Sequence, residues 1–171
     1  MGDKKYEDIV PGKKRAKIML ARFLFWFLGR GFQASAALDP KVKEEIDGWP
    51  DSFTMMMKIL PSGPCLVMGK KKGKFVYLGS KETDADLAVY FKNIDSALPV
   101  LLGLSGIDRA FAEHRFSMKG DIIAYGMPLT RCLYMVETYL FPAFIARRII
   151  KKLPQKHRST LRIYLKTLTG V

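Results

Sequence analysis

Apolar and polar residues alternate with a period of two through the middle of the chain. Apolar residues occupy every second position over 53–59. Phe53, Met55, Met57 and Ile59 alternate with Thr54, Met56 and Lys58, a pattern typical of a half-buried strand. Short apolar runs at 65–68 and 75–78 flank a glycine- and lysine-rich segment, which predicts a hairpin with a basic tip. Alternation returns at 87–92 and 116–119. We therefore predict five strands.

Apolar residues at helical spacing predict helices on both sides of these strands and between the last two. The helix that opens at Pro40 should be capped by Asp39, and Gly120-Asp121 indicates a turn followed by a helix cap. Hairpin strands first, with helices inserted before the last strand, favour an α+β fold with a five-stranded, mostly antiparallel sheet covered by helices. The predicted helices run from 13 to about 29 or a little beyond, from 40 to about 47, over 96–103, over 107–114, and from 122 onward with breaks at Pro128 and Pro142.

The most apolar stretch, 18–28, is 11 residues long and contains Arg22. A membrane-spanning helix needs about 20 apolar residues, so we predict no span here. A secretory signal with cleavage near Ala34-Ser35-Ala36 fits less well, because acids precede the stretch and Arg30 follows it. A helix that packs on its own domain and an amphipathic helix at a headgroup boundary both remain open.

Charge separates the chain into three parts. Residues 1–30 hold eight basic side chains against three acidic ones, and 131–171 hold nine against Glu137 alone, giving +5 and +8. The middle, 31–130, holds twelve of each sign and is neutral. Such basic ends predict a polyanionic partner. An anionic membrane surface is favoured over nucleic acid, because the aromatic residues lie in apolar runs and are not interleaved with the basic ones.

The chain has few residues suited to covalent chemistry. Cys65 and Cys132 do not form a Cys-x-x-Cys pair, and we expect both to be reduced and buried, which favours a reducing compartment. The two histidines have no metal-site spacing, and no Gly-x-Ser-x-Gly occurs. We therefore expect a protein that is not an enzyme and that needs no metal and no cofactor.

The stretch from about Asp51 to Asp121 resembles the sterol-carrier-protein domain (type two), a lipid-binding family, in the form of a bacterial or archaeal single-domain member. A helix leads into a strand hairpin, and Ala85-Asp86 opens the next strand. Two helices then precede the pattern Phe111-x-x-x-Arg115-Phe116-x-Met118-x-Gly120-Asp121. The likeness covers a little under half of the chain strongly and the flanking helices loosely.

This resemblance implies a helix-covered five-stranded sheet with a tunnel for a sterol, a fatty acyl chain or an isoprenoid. Some bacterial members of the family present a quinone precursor to biosynthetic enzymes. The chain departs from the compact carrier form in its apolar N-terminal helix and basic C-terminal extension, and it lacks a peroxisomal address at its end. We accordingly divide it into a tail and apolar/basic helix (1–38), a lipid-binding domain (39–135) and basic amphipathic helices (136–171).

The apolar strand faces are the candidate ligand site, although plain core packing has the same composition. The candidate cavity residues are Phe53, Met55, Met57, Leu66, Met68, Phe75, Tyr77, Leu87, Val89, Phe91, Phe116 and Met118. The lysines at 70–74 offer either a lipid-phosphate contact or a solvated hairpin tip. The candidate membrane-contact residues are Phe23, Trp26, Phe27, Arg147, Arg148, Lys151 and Lys152.

These features predict a protein that binds, transfers or presents a hydrophobic lipid at a membrane surface without catalysis. We expect a cytoplasmic location with peripheral membrane association. The alternative is a membrane-docked accessory protein that scaffolds a lipid-biosynthetic enzyme complex, with a lipid-modifying enzyme as partner.

Overall fold

The computed structural model describes residues 14–169, so the predicted tail at 1–12 and the predicted helix start at Lys13 lie outside the described residues. The elements follow an α+β order: two helices, four strands, two helices, a last strand and then helices only. They are α1 (Arg15–Leu38), α2 (Pro40–Asp47), β1 (Thr54–Ile59), β2 (Cys65–Lys71), β3 (Lys74–Gly79), β4 (Leu87–Phe91), α3 (Ile94–Leu101), α4 (Ile107–Ala112), β5 (Phe116–Gly120), a π-helical turn (Ile122–Gly126), α5 (Met127–Leu140), α6 (Ala143–Ile149) and α7 (Thr160–Thr169).

The five strands form one sheet in the order β3-β2-β1-β4-β5. Only β1 and β4 pair in parallel; the other three pairs are antiparallel. The register places Met57 opposite Val89, and Val89 opposite Met118, so these three side chains lie in a row across β1, β4 and β5. The predicted α+β fold with a five-stranded, mostly antiparallel sheet is confirmed.

Helix α1 is longer than predicted, because it continues through Gly29 and Gly31 to Leu38. A Cβ atom at Gly29 would lie 2.6 Å from Leu66, and one at Gly31 would lie 2.7 Å from Leu140. The two glycines therefore permit close packing of α1 against β2 on one side and α5 on the other. This close packing compensates for the low helix propensity of glycine.

The inner face of α1 belongs to the main core. Phe25 and Phe32 are buried in the same cluster as Phe53 and Met57. No helix in the described part of the chain is long and apolar enough to cross a membrane. The division at residue 38 stays a prediction, but α1 does not stand apart from the sheet it covers.

Asp39 ties three parts of the fold together. Its carboxylate accepts hydrogen bonds from the backbone N–H groups of Lys41 (2.8 Å) and Val42 (3.3 Å), which confirms the predicted cap of α2. The Tyr139 hydroxyl of α5 donates to Asp39 Oδ2 at 2.5 Å. The same hydroxyl oxygen accepts the backbone N–H of His157 at 3.0 Å, which fixes the segment before α7.

Several local predictions need correction around β5. Helix α3 begins at Ile94, earlier than predicted, because the Asn93 side chain caps it by accepting the Ser96 N–H. Helix α4 ends at Ala112, two residues before the predicted end, and its Phe111 side chain is 55% exposed. Asp121 caps the following helix as predicted, but the first turn of that helix is π-helical.

The hairpin tip also differs from the prediction. Lys70 is buried, and its Nζ donates to the backbone carbonyls of Trp49 at 2.6 Å and Asp47 at 3.0 Å. The prediction of a lipid-phosphate contact or solvated tip is therefore wrong for Lys70, whose ammonium group links β2 to the end of α2. Lys71 and Lys72 are exposed.

The inner face of β1 is buried as predicted, and its outer face is half-buried at Thr54 and Lys58 but buried at Met56, so the predicted half-buried pattern is wrong only at Met56. Met56 is only 2% exposed and packs with Cys65, Val67 and Ala88 in a small second cluster on the outer face of the sheet. Cys65 and Cys132 are free and buried, as predicted.

Candidate functional site

The helix-covered face of the sheet is solid at its β2–β3 end. Trp49 packs against Phe53 with ring centroids 4.6 Å apart and against Phe75 at 5.4 Å. Phe32 of α1 reaches the Phe75 ring at 5.0 Å. Aromatic rings from three parts of the chain thus fill this end.

The same face is hollow at its β4–β5 end. A cavity of about 130 Å³ lies between α1, the sheet and α5. Its floor is the row formed by Met57, Val89 and Met118. All but two of the lining residues are apolar: Leu24, Phe27, Leu28, Met57, Val89, Phe91, Val100, Leu101, Ile107, Phe116, Met118, Leu129, Leu133, Leu140 and Phe141, with Thr130 and Glu137 as the exceptions.

Helix α5 supplies the roof of the cavity through one helical face. Thr130, Leu133, Glu137 and Leu140 are spaced by three or four residues and therefore point to the same side. Thr130 and Glu137 are seven residues apart, which is about 10 Å along the helix. The cavity therefore extends over roughly two turns of α5.

An apolar surface groove adjoins the cavity. Ile107, Phe116, Met118 and Thr130 line both. The outer rim of the groove carries exposed large apolar side chains, namely Phe111 (55% exposed), Ile122 (48%) and Met127 (56%), next to Ile123 (82%). The four shared residues place the groove directly beside the cavity.

Five of the twelve predicted cavity residues line the cavity, and the other seven do not. The five lining residues are Met57, Val89, Phe91, Phe116 and Met118. The seven others pack in the core away from the cavity, and they are Phe53, Met55, Leu66, Met68, Phe75, Tyr77 and Leu87.

The predicted membrane-contact residues fall into two groups. Phe27 is half-buried and lines the cavity, and Trp26 is also half-buried beside the Phe23 ring at 5.8 Å. Phe23 is 56% exposed. The four basic residues of the set, Arg147, Arg148, Lys151 and Lys152, are all exposed.

Glu137 places a carboxyl group on the wall of the apolar cavity. Its side chain is buried, and Oε2 has no hydrogen-bond partner in the described part of the chain. Burial raises the pKa of Glu137 to about 8, with a smaller contribution from the negative charge of Asp108. Glu137 is therefore a neutral carboxylic acid at pH 7, able to donate a hydrogen bond through its O–H and to accept one through its carbonyl.

Thr130, the other polar lining residue, already has a hydrogen-bond partner. The Thr130 hydroxyl donates to the backbone carbonyl of Gly126 at 2.9 Å. No lysine or arginine lines the cavity among the described residues. The same part of the chain has no group of three or more His, Cys, Asp or Glu side chains that could hold a metal ion.

Sequence reasoning missed Glu137 and the lining residues contributed by α1, α3 and α5. A usable signal existed for Glu137, which is the single acid among nine basic residues in 131–171. It also occupies the apolar helical face shared by Leu129, Leu133 and Leu140. An acid at an apolar position of a basic segment is unusual enough to mark a candidate site.

No protein-family model matches the sequence, and no curated protein matches it. The chain is similar to several solved structures of the sterol-carrier type. A conserved hypothetical protein of Thermus thermophilus, for which a sterol-carrier role is suggested, is 16% identical over 74% of this chain and 85% of its own, with a TM-score of 0.45. A UbiJ-SCP2 ubiquinone synthesis protein is 18% identical over 78% and 99%, with a TM-score of 0.42.

Sterol carrier protein 2 like 2 of Aedes aegypti is 14% identical over 68% of this chain and 96% of its own, with a TM-score of 0.40. These are distant likenesses to the family noted in the sequence. The fold itself rests on the sheet topology described above.

Proposed function

We propose that this protein binds a lipid in the cavity under α5 and holds or delivers it at an anionic membrane surface, without covalent chemistry. The observation that carries the proposal is the contrast within one core. An apolar space of about 130 Å³ persists at one end of the face, while aromatic rings pack closely at the other end. Apolar cavities of this size stay dry and accept apolar guests.

The size of the cavity restricts how a lipid would bind. Ligand pockets typically measure about 300–1,000 Å³, so this cavity holds a ring or a short segment and not a whole lipid. The remainder would lie in the groove that shares Ile107 and Met118 with the cavity. Methionines on the floor can adjust their rotamers to guests of different shape.

The absence of activity is part of the proposal and is supported by the state of the potential nucleophiles. Burial raises the pKa of the Cys132 thiol to about 12, so this cysteine stays protonated at neutral pH. Burial also raises the pKa of the Cys65 thiol. Neither thiol lines the cavity.

Lipid extraction from freshly purified protein followed by mass spectrometry tests the proposal. We expect a co-purified lipid on the natural protein and its loss from Met118→Trp, which fills the cavity. Met19→Trp is the matched control, because Met19 is 70% exposed on α1, outside the cavity. A protein that carries no lipid and takes none up from vesicles would contradict the carrier function.

The membrane part of the proposal is supported by exposed apolar and basic side chains on the last two helices. Phe144 of α6 is 75% exposed and is followed by exposed Arg147 and Arg148. Helix α7 turns Leu161 and Leu165 outward, at 68% and 55% exposure. An anionic surface attracts nearby basic residues by about 1 kcal/mol each, and apolar side chains beside them add buried area.

Vesicle co-sedimentation with phosphatidylserine-containing liposomes tests this docking. Four basic residues at and just after the end of α6 are replaced by Gln, namely Arg147, Arg148, Lys151 and Lys152. We expect this variant to bind the vesicles a hundredfold or more weakly, because each basic residue contributes about 1 kcal/mol of attraction. A matched control removes the same charge from exposed lysines elsewhere (Lys71, Lys72, Lys74 and Lys81 to Gln). Equal weakening by both variants would indicate attraction by net charge alone.

The scaffold alternative is favoured by the outward leucines of α7, which would suit a protein partner as well as a membrane. In that case the cavity is not used. A biosynthetic activity of the host that depends on this protein and is unchanged by Met118→Trp would support the scaffold over the carrier.

A further inference from the structure

We infer that Glu137 is a polar anchor within the cavity and that it selects a neutral ligand with a hydroxyl or carbonyl oxygen at its buried end. The inference rests on the proposed lipid-binding function and deepens it. It starts from an unpaired carboxyl oxygen in the wall of an apolar space. A buried polar group without a partner destabilises the protein, and a ligand oxygen that pairs with it would remove that cost.

The surroundings of Glu137 in residues 14–169 leave its Oε2 without a hydrogen-bond partner. Leu133 and Leu140 flank it along α5, and Thr130 donates its hydroxyl to Gly126. The negative charge of Asp108 raises the pKa of Glu137, and Glu137 contributes to the raised pKa of Tyr134. The Tyr134 hydroxyl donates its hydrogen bond to the Asp108 carboxylate.

Charge decides the class of ligand. A fatty acid would bring a carboxylate into a cavity with no basic lining residue, so its charge would be buried without compensation. An amine would ionise Glu137 and bury an ion pair, whose desolvation penalty can exceed the attraction. A hydroxyl or ketone oxygen carries neither cost and accepts the O–H of the neutral acid. Ligands of the fatty alcohol, sterol or quinone chemical type fit these conditions.

The position of Glu137 defines which end of the ligand enters. Glu137 lies about 10 Å along α5 from Thr130, which borders the groove. The oxygen-bearing end would therefore enter first and reach Glu137. The apolar remainder would trail through the groove toward the exposed rim at Ile122 and Met127.

The test compares two probes of similar size, 1-octanol and 1-chlorooctane, by their displacement of the neutral fluorophore N-phenyl-1-naphthylamine at pH 7. The measured quantity is the ratio of the two affinities in each variant, so that their different hydrophobicities cancel. We expect the preference for octanol to fall about tenfold in Glu137→Met, as for the loss of one hydrogen bond to a buried group. Glu137→Gln, which keeps a donor and an acceptor, should retain most of the preference.

Glu44→Met is the matched control, because Glu44 is an exposed carboxylate on α2 and its removal should leave the ratio unchanged. If both probes displace the fluorophore but Glu137→Met keeps the octanol preference, the anchor is refuted and the proposed function stands. If neither probe competes on the natural protein, the proposed function fails together with the anchor. Tighter binding of octanoate than octanol would overturn the assigned ligand class.

Discussion

The two ends of the helix-covered sheet face are both apolar but pack differently. At the β2–β3 end, the rings of Trp49, Phe53, Phe75 and Phe32 meet at centroid distances of 4.6 to 5.4 Å. At the β4–β5 end, methionine, valine and leucine side chains border about 130 Å³ of empty space. The cavity is therefore a local property of this core and not a sign of loose packing throughout.

The geometry of α1 accounts for part of this difference. Its C-terminal half approaches the sheet closely, because Gly29 sits against Leu66 and Tyr77. The turn directly before Gly29 presents the larger side chains of Leu24, Phe27 and Leu28 to the cavity. Larger side chains at the contact hold a helix further from its neighbour, so one helix closes one end and bridges the other.

The largest expected effect is on stability at the solid end. Phe53→Ala should lower the free energy of unfolding by about 3–5 kcal/mol, since it creates a cavity in a filled region. Met57→Ala should cost only about 2 kcal/mol, because one side of Met57 already borders empty space and has fewer contacts to lose. Urea denaturation of both variants checks this. An equal or larger loss for Met57→Ala would contradict the comparison.

The next effect is a pH dependence carried by Glu137. Its pKa of about 8 in the folded protein lies above its ordinary value of 4.5, so the folded state holds the proton more tightly. The stability it contributes is fully present below about pH 4.5 and is lost as the pH rises through 8, by an amount on the order of a few kcal/mol. Glu137→Gln should remove this loss and be the more stable protein at pH 9.

Unfolding free energies measured from pH 5 to pH 9 test this prediction. Glu44→Gln, at an exposed position, should follow the natural protein. The titratable groups that interact electrostatically with Glu137 are Asp108, which raises its pKa, and Tyr134, which is hydrogen-bonded to Asp108. A natural protein whose stability does not change over this range would show that Glu137 is paired or ionised in the fold.

The smallest expected effect concerns filling the hollow end. Met118→Trp should change the free energy of unfolding by no more than about 1–2 kcal/mol, because the added ring enters existing space at the cost of some strain. Met68→Trp, in the filled region where Met68 is fully buried, should destabilise clearly more. Thermal unfolding of the pair measures the difference. Similar losses for both would mean that the cavity cannot accept a side chain.

Much of the fold could be predicted from the sequence, because period-two alternation and capping residues act locally. The alternation over 53–59 located β1, and Asp39 and Asp121 cap helices where expected. Met56 was placed wrongly, because a residue on the outer face of the sheet follows the same alternation whether or not that face is covered.

The candidate site was less predictable. Met57 and Met118 line the cavity while Met55 and Met68 do not, although all four are strand residues facing the same core. Their difference depends on where α1 and α5 lie above the sheet, which no local pattern encodes. A cavity and a filled core also have the same apolar composition.

The most direct test uses these methionines as reporters within one sample. Methyl resonances of the protein labelled at methionine would be followed in a nuclear magnetic resonance titration with 1-octanol. We expect the resonances of the Met57 and Met118 methyl groups to shift and saturate, while those of Met55 and Met68 at the solid end stay in place. Shifts of equal size at all four, or at none, would contradict the claim that this core keeps room for a ligand at one end only.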